Sequence, residues 1–138
     1  MTFNNNRLAI VFCFFSLSCV STRLNTKAED ALPATALKPF GRFIITNGRD
    51  LELISSAVHF GFSFEGNECR IHASIPDAAG HNYLQYELDG VYGKRIRLAG
   101  NSTEPIILTA PNGGPHKVWI YKATEAHTGP IFIQKITG

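Results

Sequence analysis

Two consecutive segments that alternate apolar and polar residues constrain the fold more than any other feature of the chain. The first, residues 57–64, places four apolar side chains on one face: Val58, Phe60, Phe62 and Phe64. Residues 68–75 alternate in the same way, and a turn sequence, Glu65-Gly66-Asn67, separates the two segments. A period of two is typical of a strand with one buried face. The pair therefore predicts an antiparallel sheet with its second face in water.

The chain around these segments consists of further short apolar stretches separated by turn sequences. The additional predicted strands are residues 42–46, 51–54, 82–88, 94–98, 105–109, 116–121 and 131–136. The clearest turn signals are Asn47-Gly48 and the segment 111–115, which is rich in Pro and Gly. No segment of ten residues or more has a convincing helical period. About eight to ten short strands with closely spaced turns predict an all-β fold, a jelly-roll-like antiparallel β-sandwich over residues 40–138.

The N-terminal segment has the features of a targeting sequence. Arg7 precedes an apolar stretch, residues 8–17, that is too short to span a bilayer, so residues 1–19 are predicted to be a signal peptide. Residues 16–19 resemble a bacterial lipobox, which predicts lipid attachment at Cys19, with ordinary cleavage near residues 18–21 as the alternative. The protein is thus expected to be secreted or lipid-anchored at the bacterial cell envelope. Residues 20–39 lack periodicity and are predicted to be a flexible tether.

Charge and cysteine content narrow the classes of partner. Thirteen basic residues face 11 acidic ones, for a formal net charge of +2, so no nucleic acid partner is expected, and no membrane contact except through a lipid anchor. Of the three cysteines, only Cys69 lies in the predicted domain, which excludes an internal disulfide. Cys69 alternates with Ile71 and is predicted to be a buried, unreactive side chain.

Residues 116–129 contain the candidate binding residues. Val118 and Ile120 are expected to face the core, while Trp119 and Tyr121 share the opposite side of the strand with Lys117. Two interpretations of this aromatic pair remain open. The rings are either packed, in the sandwich or under a neighbouring domain, or they form an exposed platform that stacks on sugars.

A polar cluster follows where the alternation is predicted to break, formed by Lys122, Thr124 and Glu125. A cation, a hydroxyl and an anion at a strand end can satisfy one another as a solvated ion pair. Alternatively they form a functional edge or a junction with another domain.

Catalytic and metal chemistry find little support in the residues. The segment 61–65 resembles a serine nucleophile elbow, but it lacks the closing glycine and lies within a predicted strand. Asp77 and His81 share a loop without a nearby nucleophile, and their spacing with His72 matches no standard zinc pattern. No catalytic residue, no metal ligand and no cofactor is therefore assigned.

Four motifs together carry a family resemblance. They are Gly41-Arg42-Phe43, Val58 to Gly66, Leu88-Asp89-Gly90, and His116 to Ala126 with Gly129. With these motifs the chain from Gly41 onward resembles the N-terminal jelly-roll domain of carbohydrate esterase family 2. The resemblance implies a galactose-binding-domain-like sandwich followed by an SGNH hydrolase domain that deacetylates plant polysaccharides. The catalytic serine and histidine of that second domain have no matching positions in this chain.

The resemblance implies a non-catalytic accessory module of an acetylxylan esterase-like protein. Such a module would dock the SGNH hydrolase domain, contact plant polysaccharide, or do both, so this chain alone is not expected to be an enzyme. One alternative is a fragment of a complete deacetylase, and another is a stand-alone glycan-binding protein. The residues assigned to binding or to the domain junction are Trp119, Tyr121, Lys122, Thr124 and Glu125.

Overall fold

The computed structural model describes residues 30–138, which form eleven β-strands and two short 3-10 turns. The strands are β1 (Ala31–Pro33), β2 (Phe43–Thr46), β3 (Asp50–Leu53), β4 (His59–Glu65), β5 (Glu68–Ser74), β6 (His81–Leu88), β7 (Val91–Tyr92), β8 (Ile96–Ala99), β9 (Ile106–Thr109), β10 (Pro115–Lys122) and β11 (Ile131–Thr137). The 3-10 turns are Ala34–Ala36 and Ala126–Thr128. No helix within residues 30–138 is long and apolar enough to cross a membrane.

The strands form two antiparallel sheets that pack face to face. In the first, the β11 sheet, the order is β2-β3-β11-β5-β9, and β1 pairs with the C-terminal part of β11. In the second, the β10 sheet, β10 lies between β4 and β6, and both β7 and β8 pair with β6. The core between them consists of side chains with 0% exposure from both sheets, including Leu51, Leu53, Phe60, Ile71, Leu84, Val118, Ile120, Ile131 and Ile133. The predicted all-β antiparallel sandwich is confirmed.

The alternating segments behave as the sequence indicates. Within β4 and the residue before it, Val58 and Phe60 are completely buried and Phe62 is 8% exposed, while Ser63 faces outward. The predicted Asn47-Gly48 turn is also present, because both residues have positive φ, 53° and 66°, and join β2 to β3. This left-handed geometry is the one that favours Asn and Gly in hairpin turns.

The predicted tether differs from the structure in its second half. Strand β1 pairs with Lys135–Thr137 of β11, Ala34 is completely buried, and Leu37 is only 7% exposed. Residues 31–39 are therefore part of the domain rather than a tether. This segment contains apolar residues, but two prolines interrupt it and no regular period results. Its apolar side chains nevertheless bury surface in the domain. The rest of the tether, residues 20–29, and the leader with Cys19 lie outside the described residues.

A buried histidine fixes the start of β10. His116 is 4% exposed, and its Nδ1 lies 2.7 Å from Oδ2 of Asp89 while its Nε2 lies 2.9 Å from the carbonyl oxygen of Asn112. Both ring nitrogens face acceptors, so the protonated imidazolium satisfies both contacts. The hydrogen bond to Asp89 raises the pKa of His116 above 6.5, with a further contribution from the Asn112 carbonyl.

Asp89 completes this connection from the turn that follows β6. Its Oδ1 accepts a hydrogen bond of 2.8 Å from the backbone N–H of Lys117. That bond, followed by the one from His116, holds the pKa of Asp89 below 3.8. Asp89 itself has a positive φ of 51°, which Asp and Asn tolerate better than most residues. One carboxylate thus joins the β6–β7 turn to the first residues of β10.

We predict that this pair makes the stability of the protein depend on pH. A raised histidine pKa stabilises the fold fully below 6.5, and that stabilisation is lost as pH rises through the folded-state pKa. A lowered Asp pKa stabilises above 3.8 and is lost as pH falls through the folded-state value. The Asp89→Asn variant keeps the backbone conformation but lacks the charge. Urea unfolding followed by circular dichroism should show the largest stability difference between wild type and variant between these two pH values. A difference that stays constant from acid to alkaline pH contradicts the prediction.

Candidate functional site

The outer face of the β10 sheet presents two rows of side chains, each running across three strands. One row contains His59 of β4, Tyr121 of β10 and Gln85 of β6. The second contains Gly61, Trp119 and Glu87 from the same three strands. Since alternate residues of a strand point to opposite sides, these rows face away from the core that Val118 and Ile120 enter.

Five rings on this side form one connected group, and together they are called the aromatic face: Phe40, His59, Trp119, Tyr121 and Tyr92. The His59 ring stacks on Phe40 with centroids 5.3 Å apart, and on Tyr121 with centroids 5.2 Å apart. Trp119 lies 5.7 Å from His59, and Tyr92 lies 6.2 Å from Tyr121. The rings at the two ends are the most accessible, because Phe40 is 57% and Tyr92 is 65% exposed. The three central residues are half-buried.

Gly61 determines how the indole of Trp119 lies. A Cβ at position 61 would come within 3.1 Å of both Cε3 and Cζ3 of the ring, so the indole rests directly on the backbone of β4. Any side chain at this position would have to push the ring outward. An open groove of about 340 Å³ adjoins the indole, lined by Lys38, Phe40, Gly61, Phe62, Ser63, Lys117 and Trp119.

Hydrogen-bonding groups border the rings. Burial raises the pKa of Tyr121 above 10.0, and its hydrogen bond with Tyr92 raises it further, so the phenol stays neutral at physiological pH. Gln85 is used internally, because its Nε2 donates to the carbonyl of Gly93 at 2.6 Å. Glu87 and Lys117 supply one charge of each sign beside Trp119. Such a surface can contact a flat molecule that has both C–H groups and hydroxyls.

The predicted break in alternation at Lys122 is wrong, because the strand continues through this residue and its side chain points inward. Lys122 is only 1% exposed. Its Nζ contacts the carbonyl oxygens of Ile54, Thr124 and Glu125 at 3.1, 3.4 and 3.0 Å. An ammonium group has three donors, and here each meets a carbonyl. Burial lowers the pKa of Lys122 below 10.5, partly offset by the Glu125 carboxylate.

Thr124 also has an internal partner. Its hydroxyl donates to Oδ1 of the completely buried Asn82, whose Nδ2 in turn donates to the carbonyl of Gly129 at 3.1 Å. Together with Lys122 it therefore stabilises the connection between β10 and β11. Glu125 is the member of the predicted polar cluster whose side chain is exposed.

Of the five residues assigned from the sequence, Trp119 and Tyr121 lie together on the aromatic face. Sequence reasoning did not assign the other three rings, Phe40, His59 and Tyr92. The alternation of β4 does place His59 on the outer face, but Phe40 precedes the first predicted strand, residues 42–46, and no local period assigns it to a face. Tyr92 belongs to a strand of two residues, which is too short to show a period.

The structure also places the serine, cysteine and metal-ligand candidates of the sequence. Ser63 lies within β4 and faces outward, not at a turn from strand to helix. Cys69 is completely buried, as predicted, and burial raises the pKa of its thiol to about 12, which keeps it protonated at neutral pH. Among residues 30–138, no three His, Cys, Asp or Glu side chains converge as metal ligands would.

Several solved structures contain a β-sandwich domain with a similar fold. A family two carbohydrate esterase from Cellvibrio japonicus is 18% identical with a TM-score of 0.70, over 80% of this chain and 33% of the esterase. A family two esterase from Clostridium thermocellum, solved with cellohexaose, is 18% identical with a TM-score of 0.58, over 78% of this chain and 30% of that one. The chain thus spans about a third of each esterase.

A smaller protein has the same sandwich. The carbohydrate-binding module CBM36, solved with calcium and xylotriose, is 15% identical with a TM-score of 0.56, over 78% of this chain and 97% of the module. Comparison with curated protein sequences gives no match. The chain belongs to the carbohydrate esterase 2 N-terminal family, whose model matches residues 40–137. The family resemblance of the sequence motifs is thereby confirmed.

We predict that Lys122→Met lowers the free energy of unfolding by about 2–3 kcal/mol, because three carbonyl oxygens lose their buried donor. Lys117→Met is the matched control, since Lys117 is an exposed lysine in the same strand, and it should change stability by less than about 0.5 kcal/mol. Chemical denaturation of the three proteins at neutral pH measures both values. Equal stability of the two variants would show that the buried ammonium contributes nothing.

Proposed function

We propose that the chain is an accessory module of a family two carbohydrate esterase and that its aromatic face binds polysaccharide. The observation that carries this proposal is the connected group of five rings on one sheet face, in which the centroids of contacting rings are 5.2 to 6.3 Å apart. Membership of the carbohydrate esterase 2 N-terminal family over residues 40–137 supports it independently.

The chemistry of sugars fits such a surface. A pyranose ring has C–H groups that pack on an aromatic ring and hydroxyls that hydrogen-bond at its edge. Trp119, which lies against Gly61, offers the largest such ring, and Tyr121 is on the same side of β10. The face lies open along three strands, which suits an extended polysaccharide better than a small molecule enclosed in a pocket.

The first test removes single rings. We expect Trp119→Ala and Tyr121→Ala each to weaken binding about tenfold, because each removes stacking and buried apolar surface worth about 1.4 kcal/mol. Affinity electrophoresis in gels that contain acetylated xylan, mannan or soluble cellulose derivatives measures the effect. Phe43→Ala is the matched control, because Phe43 is a 37% exposed ring on the other sheet.

Circular dichroism of each variant ensures that lost binding does not result from unfolding. Retardation of Trp119→Ala equal to that of the wild type contradicts the assignment of the face. Failure of the wild type to be retarded by any of these polysaccharides contradicts the binding function itself.

A second surface suggests where a hydrolase domain would pack. Strand β2 is an edge of the β11 sheet, and three consecutive apolar residues on it are exposed: Phe43 at 37%, Ile44 at 49% and Ile45 at 41%. An uncovered apolar edge strand invites aggregation, so proteins usually cover it. The matched esterases are about three times as long as this chain, since it spans 33% and 30% of them. We therefore propose that an SGNH hydrolase domain, on the same or a separate chain, covers β2.

This docking is tested with the hydrolase encoded downstream of Gly138 or in the adjoining reading frame. The immobilised chain should retain that hydrolase, and the retained activity is measured with p-nitrophenyl acetate. We expect Ile44→Ser to reduce retention about tenfold, because it places a hydroxyl in an apolar contact. Ile107→Ser is the control, since Ile107 is 54% exposed on β9 at the other edge of the same sheet. Absence of such a hydrolase gene, or equal retention by both variants, contradicts docking on β2.

A further inference from the structure

Three cations lie close together between the end of β7 and the middle of β8: Lys94, Arg95 and Arg97. They are called the basic cluster, and all three are exposed. They line an open groove of about 410 Å³ that also includes Glu104. In the described part of the chain, none of the three has a carboxylate within ion-pair distance, whereas the Arg70 guanidinium lies 2.5 Å from Glu68. The basic cluster therefore carries charge that no carboxylate of residues 30–138 neutralises in an ion pair.

The basic cluster borders the aromatic face. The guanidinium carbon of Arg95 lies 5.8 Å from the centre of the Tyr83 ring, and Arg97 is directly opposite Tyr83 in the β6–β8 pairing. Tyr83 is two residues from Gln85, which is opposite Tyr121. Residues two apart share a side of the strand, so Tyr83 is a diagonal neighbour of Tyr121 on the adjacent strand. Diagonal neighbours of this kind lie about 7–8 Å apart. A polysaccharide on the aromatic face can therefore reach the basic cluster.

We propose that the basic cluster binds the carboxylate of an acidic sugar, a uronate, carried by the polysaccharide on the aromatic face. This inference rests on the proposed function. A planar guanidinium matches a carboxylate with two parallel hydrogen bonds, and Arg95 is already oriented by its contact with the Tyr83 ring. Uronates supply both parts of the required ligand, because each has a C–H face for the rings and one carboxylate for an arginine.

A nucleic acid is the less favoured anionic partner. Continuous phosphate charge calls for many lysines and arginines along the contact, and affinity depends on their number. Here three cations stand beside a face that also carries Glu87, and the whole chain has only two more basic than acidic residues. Sparse carboxylates spaced along a largely neutral polysaccharide match this charge better.

The test compares glucuronoxylan with the same polysaccharide after chemical reduction of its carboxyl groups. We expect the wild-type chain to bind glucuronoxylan about tenfold more tightly at low salt than the reduced form, with the preference decreasing at high salt. The double variant Arg95→Gln, Arg97→Gln should lose this preference and still bind the reduced form. Arg42→Gln with Arg49→Gln is the matched control, because it removes two exposed arginines elsewhere and should keep the preference.

Each outcome separates the inference from the function on which it rests. If the wild type binds both forms equally, uronate recognition is wrong and the polysaccharide-binding function stands. If the Arg42→Gln, Arg49→Gln control also loses the preference for glucuronoxylan, the preference results from overall charge. That result would overturn the assignment to the basic cluster. A single-stranded oligonucleotide is tested as a competitor at the same concentration of charge as glucuronoxylan. If it displaces the bound polysaccharide as strongly as free glucuronoxylan does, the assignment to uronate is likewise overturned. Binding of neither polysaccharide would contradict the proposed function itself.

Discussion

The pairing of β10 with β4 on one side and β6 on the other determines most of what the domain presents to solvent. Because side chains alternate along a strand, one register fixes both faces at once. Val118 and Ile120 enter the core, and Trp119 and Tyr121 reach the outer face between partners from β4 and β6. A shift of the β10 register by one residue would turn its outward-facing side chains toward the core. Trp119 and Tyr121 would then no longer lie on the aromatic face. The core and the candidate site therefore depend on the same set of backbone hydrogen bonds.

The motif that best marks the family has mainly a structural role. His116 is bound through Asp89 of the Leu-Asp-Gly motif, and Lys122 satisfies three carbonyls near the end of β10. Buried polar groups of this kind are costly when unpaired, so each partner constrains the others. Trp119 and Tyr121 are the motif residues that form part of the aromatic face.

Sequence reasoning predicted the parts of the fold that depend on local pattern. The β4 and β5 segments alternate over seven residues each, so both strands and their buried faces could be predicted. Strand β1 was missed because its pairing with β11 joins opposite ends of the domain and leaves no local period. Lys122 was misplaced because a charged residue normally indicates the surface. Its burial depends on the backbone carbonyl oxygens of three other residues, which the sequence pattern does not indicate. At the candidate site, the alternation of β10 predicted that Trp119 and Tyr121 share one side of the strand. Phe40 and Tyr92 contact them only in the folded structure, so no local pattern indicates their place.

The position of Trp119 has a practical consequence. It is the only tryptophan in the chain, and its indole lies against Gly61 at the centre of the aromatic face. Intrinsic fluorescence excited at the indole therefore originates from this one location, without labelling. The emission wavelength and the quenching by dissolved acrylamide would therefore report, in solution and in real time, whether a bound molecule covers the indole.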